Sequence, residues 1–328
     1  MPNTIKKIGV MTSGGDAPGM NAAIRAVVRA CAYYDVSCIG FYRGYQGMIE
    51  NDFVDMPPRS VKNIINLGGT VLRSARSADF RTVKGRQQAY HNLKENKVDA
   101  MVLIGGDGTF TGGLIFSEEF DIPVVGIPGT IDNDICGTQS TIGYDTALNT
   151  AVYAIDKIRD TASSHNRLFF VEVMGRDAGF IALNSGVGAG AEEILIPEED
   201  QALDKLLESL KRSKRSGKLS SIVVCAEGDK TGKNVFELAD YVHEHMPEYN
   251  TRVTVLGHLQ RGGSPSCFDR VLASRLGVKA VEFLLDGQRD IMVGFDGEKI
   301  VSTHINSVTK GSHDINRELL RISDILSV

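Results

Sequence analysis

Two acids stand two residues apart in the run Pro128-Gly129-Thr130-Ile131-Asp132-Asn133-Asp134, directly after the apolar stretch 122–127. That stretch reads as a buried strand, and the run after it as a loop broken by Pro and Gly. At such a strand end one carboxylate can take a proton while the other holds a metal or an arginine. A surface turn capped by Asp and Asn would use the same residue types. Two further loops favour chemistry. Gly105-Gly106-Asp107-Gly108-Thr109 follows the strand-like residues 100–104, and Thr12-Ser13-Gly14-Gly15-Asp16-Ala17-Pro18-Gly19 follows residues 8–11 and leads into a helical pattern near Met20. Glycine lets backbone N–H groups approach a phosphate closely, and a helix start behind it favours negative charge. Asp107 itself repels a phosphate and needs Mg²⁺ between them. The three loops together read as a Mg-nucleotide or phosphosugar site.

The elements that position these loops alternate. Strand-like runs at 8–11, 100–104, 122–127, 168–173, 194–196, 221–225 and 253–256 are separated by amphipathic helical patterns, among them 146–159, 202–214 and 268–285. Near the end, residues 291–295 and 299–302 flank Asp296-Gly297, a hairpin signal. Strand–helix alternation implies an α/β fold of two doubly wound, largely parallel-sheet lobes. The glycine-rich loops, all at strand ends, are expected to line one crevice between them. The expected domains are a larger nucleotide-binding lobe, 1–142 plus 259–309, and a smaller sugar-phosphate lobe, 143–258 plus 310–328.

Composition excludes several classes. The chain has 328 residues, 42% of them apolar, enough for two ordinary lobes. Apolar runs are too short to span a bilayer, and the first residues carry no signal-peptide core, so the expectation is a cytoplasmic protein without membrane contact. A net charge of −5 argues against nucleic-acid binding. The five cysteines include no Cys-x-x-Cys pair and read as reduced thiols. His243 and His245, two apart, would fall on different helix faces and make no metal pair. Gly228-Asp229-Lys230-Thr231-Gly232-Lys233 lacks the spacing of a P-loop, and Gly186-Val187-Gly188-Ala189-Gly190-Ala191 lacks the preceding strand of a dinucleotide fingerprint.

Taken in order, the motifs resemble the bacterial ATP-dependent 6-phosphofructokinase family. The loops from Thr12, Gly105 and Pro128 are followed at the family's spacing by Met174-Gly175-Arg176 and by Gly257-His258-Leu259-Gln260-Arg261-Gly262-Gly263. The resemblance implies phosphorylation of fructose 6-phosphate to fructose 1,6-bisphosphate, the committed step of glycolysis. It implies a catalytic set of Asp132, Thr130, Arg176 and Asp134, with Asp132 the base for the sugar 1-hydroxyl. Gly15, Arg76, Ser77, Gly106, Asp107, Gly108 and Thr109 would contact ATP, with Asp107 holding Mg²⁺. Thr130, Asp132, Met174, Gly175, Arg176, Glu227, His258 and Arg261 would hold fructose 6-phosphate. Arg167 and Arg252 would reach it from a neighbouring subunit, which makes the expected unit a homotetramer with shared sites. The residue types suit phosphoryl transfer, which needs positioned charge and a modest base, and arginine forks suit a phosphate dianion.

The resemblance also implies an effector site for ADP or phosphoenolpyruvate at Arg25, Arg29, Arg159, Glu192 and Lys218. Here Pro58 and Asn63 depart from the family pattern, as do Leu219 and Ser220. Arg73 is a further departure, a cation in a usually small position near the ATP loop. Pyrophosphate-using relatives resemble this chain but carry Asp in place of Gly108 and Lys in place of Gly129, so two glycines point to ATP as donor. The alternatives weighed are a pyrophosphate-dependent phosphofructokinase, a catalytically silent nucleotide or sugar-phosphate sensor, and an NAD kinase. The last would not need the Met-Gly-Arg and His-Leu-Gln-Arg loops.

Overall fold

A computed structural model describes residues 5–162, 167–199, 203–215, 221–311 and 313–326. In chain order its strands are β1 (Lys7–Thr12), β2 (Ser37–Phe41), β3 (Phe53–Asp55), β4 (Ala100–Gly105), β5 (Val124–Thr130), β6 (Ile142–Gly143), β7 (Arg167–Val173), β8 (Glu193–Leu195), β9 (Ser221–Ala226), β10 (Asn250–Val255), β11 (Ile291–Asp296) and β12 (Lys299–His304). The helices are α1 (Met20–Tyr33), α2 (Tyr45–Glu50), α3 (Val83–Glu95), α4 (Asp107–Phe120), α5 (Tyr144–Ala162), α6 (Phe180–Gly188), α7 (Leu203–Arg215), α8 (Val235–His245), α9 (Cys267–Leu285), α10 (Ile305–Val308) and α11 (Arg317–Leu326). The chain divides into two compact units. One comprises Met1–Ile131, Ile135–Thr146 and Arg261–His313; the other comprises Asp132–Asp134, Ala147–Gln260 and Asp314–Val328.

The first unit carries an eight-stranded sheet in the order β12-β11-β5-β4-β1-β2-β3, with β6 paired to β5. Its centre is parallel, and β3 and β12 join antiparallel at the two edges. Every residue of β4 is buried. Because successive side chains point to opposite faces, such a strand is covered on both. On one side Met101, Leu103, Phe110 and Phe116 meet Phe41, Phe80 and Leu93 in the core, each such side chain contributing roughly 1.5–3 kcal/mol by leaving water.

The second unit holds a parallel sheet in the order β10-β7-β9-β8. Its core sets Leu168 and Phe170 of β7 against Leu206 and Leu210 of α7 and Leu238 and Val242 of α8. Helix α8 starts on a capping box: Asn234 accepts from the backbone of Glu237, whose side chain bonds back to the Asn234 N–H. Among the described residues no helix is long and apolar enough to cross a membrane.

Among the boundaries that differ from the sequence expectation, two concern strands that carry candidate site residues. Pro128, Gly129 and Thr130 continue β5 instead of starting a loop, because Gly129 and Thr130 pair with Ile142 and Gly143. Strand β10 begins three residues earlier than expected, at Asn250, in register with Arg167.

Candidate active site

In the first unit three parallel neighbours, β1, β4 and β5, end side by side, and each feeds a glycine-rich or acidic segment. The Ser13 N–H donates to the Ile104 carbonyl at 3.0 Å, and the Thr109 hydroxyl donates to the Ser13 carbonyl at 3.3 Å. These bonds tie the loop after β1 to the end of β4 and to the first turn of α4, which starts at Asp107 inside the segment expected to be a loop. Thr109, a candidate nucleotide contact, is 4% exposed and spends its hydroxyl on this tie. Its carbonyl accepts from Tyr45 at 2.5 Å.

Gly106 caps α4 and Asp107 begins it. Asp107 and Gly108 are exposed. A Cβ added at Gly106 or Gly108 would meet nothing within 4 Å. An exposed acid between two glycines at a helix N-terminus is a residue pattern that suits a phosphate-bound metal ion beside the helix dipole.

Gly15 has the opposite character. A Cβ there would lie 2.2 Å from Arg261 Nη1, and the same guanidinium donates to the Asp16 carbonyl at 3.2 Å. The structure thus brings a candidate sugar-phosphate residue against a candidate nucleotide residue. Arg76 is exposed. Ser77 donates to Gln46 Oε1 at 2.7 Å and accepts from the Phe80 N–H at 3.2 Å, which organises the short turn after it. Arg73 holds a left-handed φ of 58°, and its carbonyl accepts from the Thr12 hydroxyl at 2.7 Å; nothing in the structure explains its guanidinium.

Thr130 ends β5, and its carbonyl accepts from the Thr141 hydroxyl at 2.6 Å. Asp132 follows, 4% exposed, and Asn133 turns the chain with a φ of 54°. Asp134 is half-buried.

In the second unit the Met174-Gly175-Arg176 loop leaves β7 under backbone constraint. Gly175 has a φ of 145° and Arg176 one of 54°. Glu227, just past β9, holds this loop. Its Oε1 accepts from the Arg176 N–H at 2.7 Å and from the Gly175 N–H at 3.3 Å. Gly228 has no room for a side chain, since a Cβ would fall 2.1 Å from the Arg176 carbonyl. Burial, with Glu227 and Asp229 nearby, pushes the Glu172 carboxyl above its ordinary pKa, which marks this strand end as a concentration of negative charge. Gln260, missed in the sequence, is fully buried; it accepts from the Met174 N–H at 3.3 Å and donates to the Gly257 carbonyl at 3.1 Å. Its position inside the His-Leu-Gln-Arg motif was the available signal.

His258 lies exposed in the turn Gly257–Arg261. Arg167 and Arg252 sit on paired strands, with Arg252 opposite Phe169. Arg252 is exposed and donates to its neighbour's carbonyl.

Of the candidate effector residues, Arg25 and Arg29 lie one turn apart on α1. Burial, and then the Arg29 charge, lowers the Arg25 pKa. Arg159 donates to the Ala189 and Gly190 carbonyls at 2.8 and 2.6 Å and stands 3.6 Å from Glu192. Glu192 is 5% exposed and accepts from the Ile222 N–H. Lys218, with Leu219 and Ser220, lies outside the described residues. Among the described residues no group of three or more His, Cys, Asp or Glu could hold a metal by itself. A divalent ion held at Asp107 would complete its shell with ligand phosphates and water, a donor set that Mg²⁺ accepts.

An α/β protein whose parallel strands end in glycine-acid segments, with an arginine held against one of them, has the makings of a phosphoryl-transfer enzyme. Residues 7–284 match the family model described as phosphofructokinase, and the chain belongs to that family. The chain is similar to ATP-dependent 6-phosphofructokinase 2 of Bacteroides thetaiotaomicron, 52% identical over 325 residues and 99% of both chains. It is 54% identical to ATP-dependent 6-phosphofructokinase 1 of Thermus thermophilus over 324 residues, 99% of this chain and 100% of the relative. The structure of phosphofructokinase from Saccharomyces cerevisiae superposes with a TM-score of 0.89 at 36% identity, covering 93% of this chain and 45% of the yeast chain. This chain thus spans less than half of that longer protein. A pyrophosphate-dependent phosphofructokinase from Marinobacter aquaeolei shares the fold, with a TM-score of 0.84 at 22% identity over 96% of this chain and 86% of that one.

Proposed function

We infer that the protein transfers the γ-phosphoryl group of ATP to the 1-hydroxyl of fructose 6-phosphate, releasing fructose 1,6-bisphosphate and ADP. The observation that carries this reading is the 52% and 54% identity, over nearly the whole chain, to two ATP-dependent 6-phosphofructokinases. Glycines at positions 108 and 129 support ATP over pyrophosphate, because they add neither the acid nor the lysine of the pyrophosphate-using relatives. The retained Asp107, Asp132 and Asp134 speak against a silent sensor.

In this reading Asp132 takes the proton of the 1-hydroxyl as that oxygen attacks the γ-phosphorus. The bond from phosphorus to the bridging oxygen breaks, and ADP leaves with its electron pair. Thr130 and Asp134 frame the base. Arg176 offsets the charge on the transferring group, Arg261 holds the sugar phosphate, and Gly15, Arg76, Ser77, Gly106, Gly108 and Thr109 form the nucleotide site. Mg²⁺ is the expected metal; Asp107 would hold it, and it would neutralise the nucleotide phosphates. Met174, Gly175, Glu227 and His258 hold the sugar.

We extend the reading to a homotetramer in which Arg167 and Arg252 act on a neighbour's sugar phosphate. Strand β10 supports this, since it is a sheet edge with half-buried to exposed residues throughout. Val255 and Leu259, 46% and 69% exposed beside Arg252 and His258, suit coverage by a second subunit. An effector site at Arg25, Arg29, Arg159, Glu192 and Lys218, for ADP or phosphoenolpyruvate, and a cytoplasmic setting belong to the same reading.

Initial rates with fructose 6-phosphate, comparing ATP with pyrophosphate in the presence of Mg²⁺, test the activity. ATP is the expected donor. Equal or faster turnover with pyrophosphate would reverse the donor assignment, and no turnover with either would leave the sensor reading in its place.

A further inference from the structure

A buried carboxylate outside the site just described has no part in the chemistry above. Asp269, in the first turn of α9, is 0% exposed. Its Oδ1 accepts from the Gly143 N–H at 2.9 Å, and its Oδ2 accepts from the Thr146 N–H at 2.8 Å and from the Thr146 hydroxyl at 2.5 Å. The Thr146 hydroxyl in turn accepts from the Ser266 N–H at 2.9 Å. The Ser266 hydroxyl donates to Asp145 Oδ2 at 2.5 Å and accepts from the Asp269 N–H at 3.2 Å. The result is a closed polar cluster joining the start of α5 to the start of α9. An exposed Ser, Thr or Asn caps a helix at little cost, whereas a fully buried carboxylate is expensive and needs its donors in place. Burial pushes the Asp269 pKa up, and the three donors pull against that.

The corner this cluster holds leads straight to the end of β5. Gly143 and Ile142 form β6, which pairs with Thr130 and Gly129, and the adjoining Thr141 hydroxyl donates to the Thr130 carbonyl at 2.6 Å. The same corner is packed against the loop after β1. A Cβ at Gly143 would lie 2.7 Å from Ala17 Cβ, and one at Gly19 would lie 2.6 Å from Ile142 Cγ2. The strand end that leads into Asp132 and the segment that follows the candidate nucleotide loop therefore rest on one support, and Asp269 anchors it.

We propose that Asp269 is a positioning residue for phosphoryl transfer, fixing the β6–α5 corner so that Thr130 and the base two residues beyond it stay in register with the nucleotide loops. It touches neither substrate and acts through Gly143, Thr146 and Thr141. The inference rests on the assignment of Asp132 as the base.

The test uses the full-length protein, with kcat and both KM values measured well below each variant's melting temperature. Asp269→Asn keeps the shape but sets an amide donor against a backbone N–H. A misplacement of the reacting groups on the order of 1 Å costs about 10²-fold, so kcat of Asp269→Asn is expected to fall about 10–100-fold with the ATP KM within about twofold of wild type. Thr141→Val, which cuts the tie to the Thr130 carbonyl, should reproduce that signature. The two changes together should lose no more than the worse single, since they act on one path. If Asp269→Asn does not fold, Thr146→Val removes one donor and keeps the carboxylate; its kcat is expected to drop, and Thr146→Ser to restore it. A merely structural role would lower the melting temperature and leave kcat of the folded protein within about twofold. That result in Asp269→Asn or in Thr146→Val, beside an inactive Asp132→Asn, overturns the inference alone. A fully active Asp132→Asn would remove the base and the inference together.

Discussion

The Glu227 carboxylate accepts from the Arg176 N–H at 2.7 Å, at a residue whose φ is 54°. A non-glycine residue in the left-handed region is strained, and such strain persists only where surroundings hold it. Glu227 is that hold. Its second bond, to the Gly175 N–H, makes the carboxylate an organiser of the loop as well as a candidate partner for sugar hydroxyls. Glu227→Gln keeps one acceptor but removes the charge. Charged hydrogen bonds contribute about 1.5–3 kcal/mol, so the fructose 6-phosphate KM should rise roughly 10–100-fold with little change in the ATP KM. Steady-state kinetics with each substrate varied would check this, and equal rises in both KM values would contradict it.

Asp132→Asn should fold and bind both substrates but lose most turnover. A positioned base contributes roughly 10²–10⁴-fold. A variant turning over within about threefold of wild type would show that another group takes the proton.

Arg167 and Arg252 should act across a subunit boundary. Each Ala variant is expected to raise the fructose 6-phosphate KM far more than the ATP KM. Hybrids of Arg252→Ala and Asp132→Asn subunits should recover activity, because some sites in them carry neither defect. Verified hybrids without recovery would place each site within one chain.

Arg86 and Glu119 make a two-pronged pair at 2.6 and 2.7 Å, with Arg86 largely buried. The bond to Arg86 holds the Glu119 carboxyl below its ordinary pKa. Folding therefore gains from the pair above the ordinary glutamate pKa of about 4.3, and the gain is lost as pH falls through the depressed value. With a partly exposed glutamate the gain is about 1–2 kcal/mol. Urea unfolding at pH 7 should show Glu119→Gln less stable by that amount, and the gap should narrow as pH falls below the ordinary glutamate range. A gap independent of pH would rule out the ionic contribution.

Gly108→Asp should leave the melting temperature near that of wild type, since a Cβ there meets nothing within 4 Å, yet raise the ATP KM sharply by setting an acid against nucleotide phosphates. Thermal unfolding and donor kinetics on the same sample would separate the two; unimpaired ATP use would show that Gly108 has no part in donor choice.

The strands behind the loops after β1, β4 and β7 were legible because each is a short apolar run stopped by glycine and a polar residue. The end of β5 was not. Pro128 and Gly129 are turn signals, and only pairing with the two residues of β6 keeps them extended. Helix α3 went unnoticed because only Ala89, Leu93, Gly85, Arg86 and Asn92 are buried along it, too little apolar periodicity to register. The candidate residues themselves could be named from motifs, but their partners could not. The Arg261 contact with the Asp16 carbonyl spans 245 positions, and no local pattern announces that Asp269 reaches Gly143 and Thr146. Glu227 read as a turn acid or a sugar ligand; its grip on the backbone of Arg176 depends on two strands being neighbours in the sheet.

Gly108 and Gly129, the two glycines read as favouring ATP over pyrophosphate, differ in how freely they can change. Position 108 opens onto empty space, whereas a Cβ at 129 would press at 3.2 Å on both Ile104 and Met20. A lineage could therefore acquire the acid at 108 in one step without harm to folding, while the lysine at 129 would first require the neighbouring core to give way. Descent between the two donor habits then has a preferred order. Intermediates carrying the acid alone are the ones to look for in diverging sequences, and those carrying the lysine alone should be scarce.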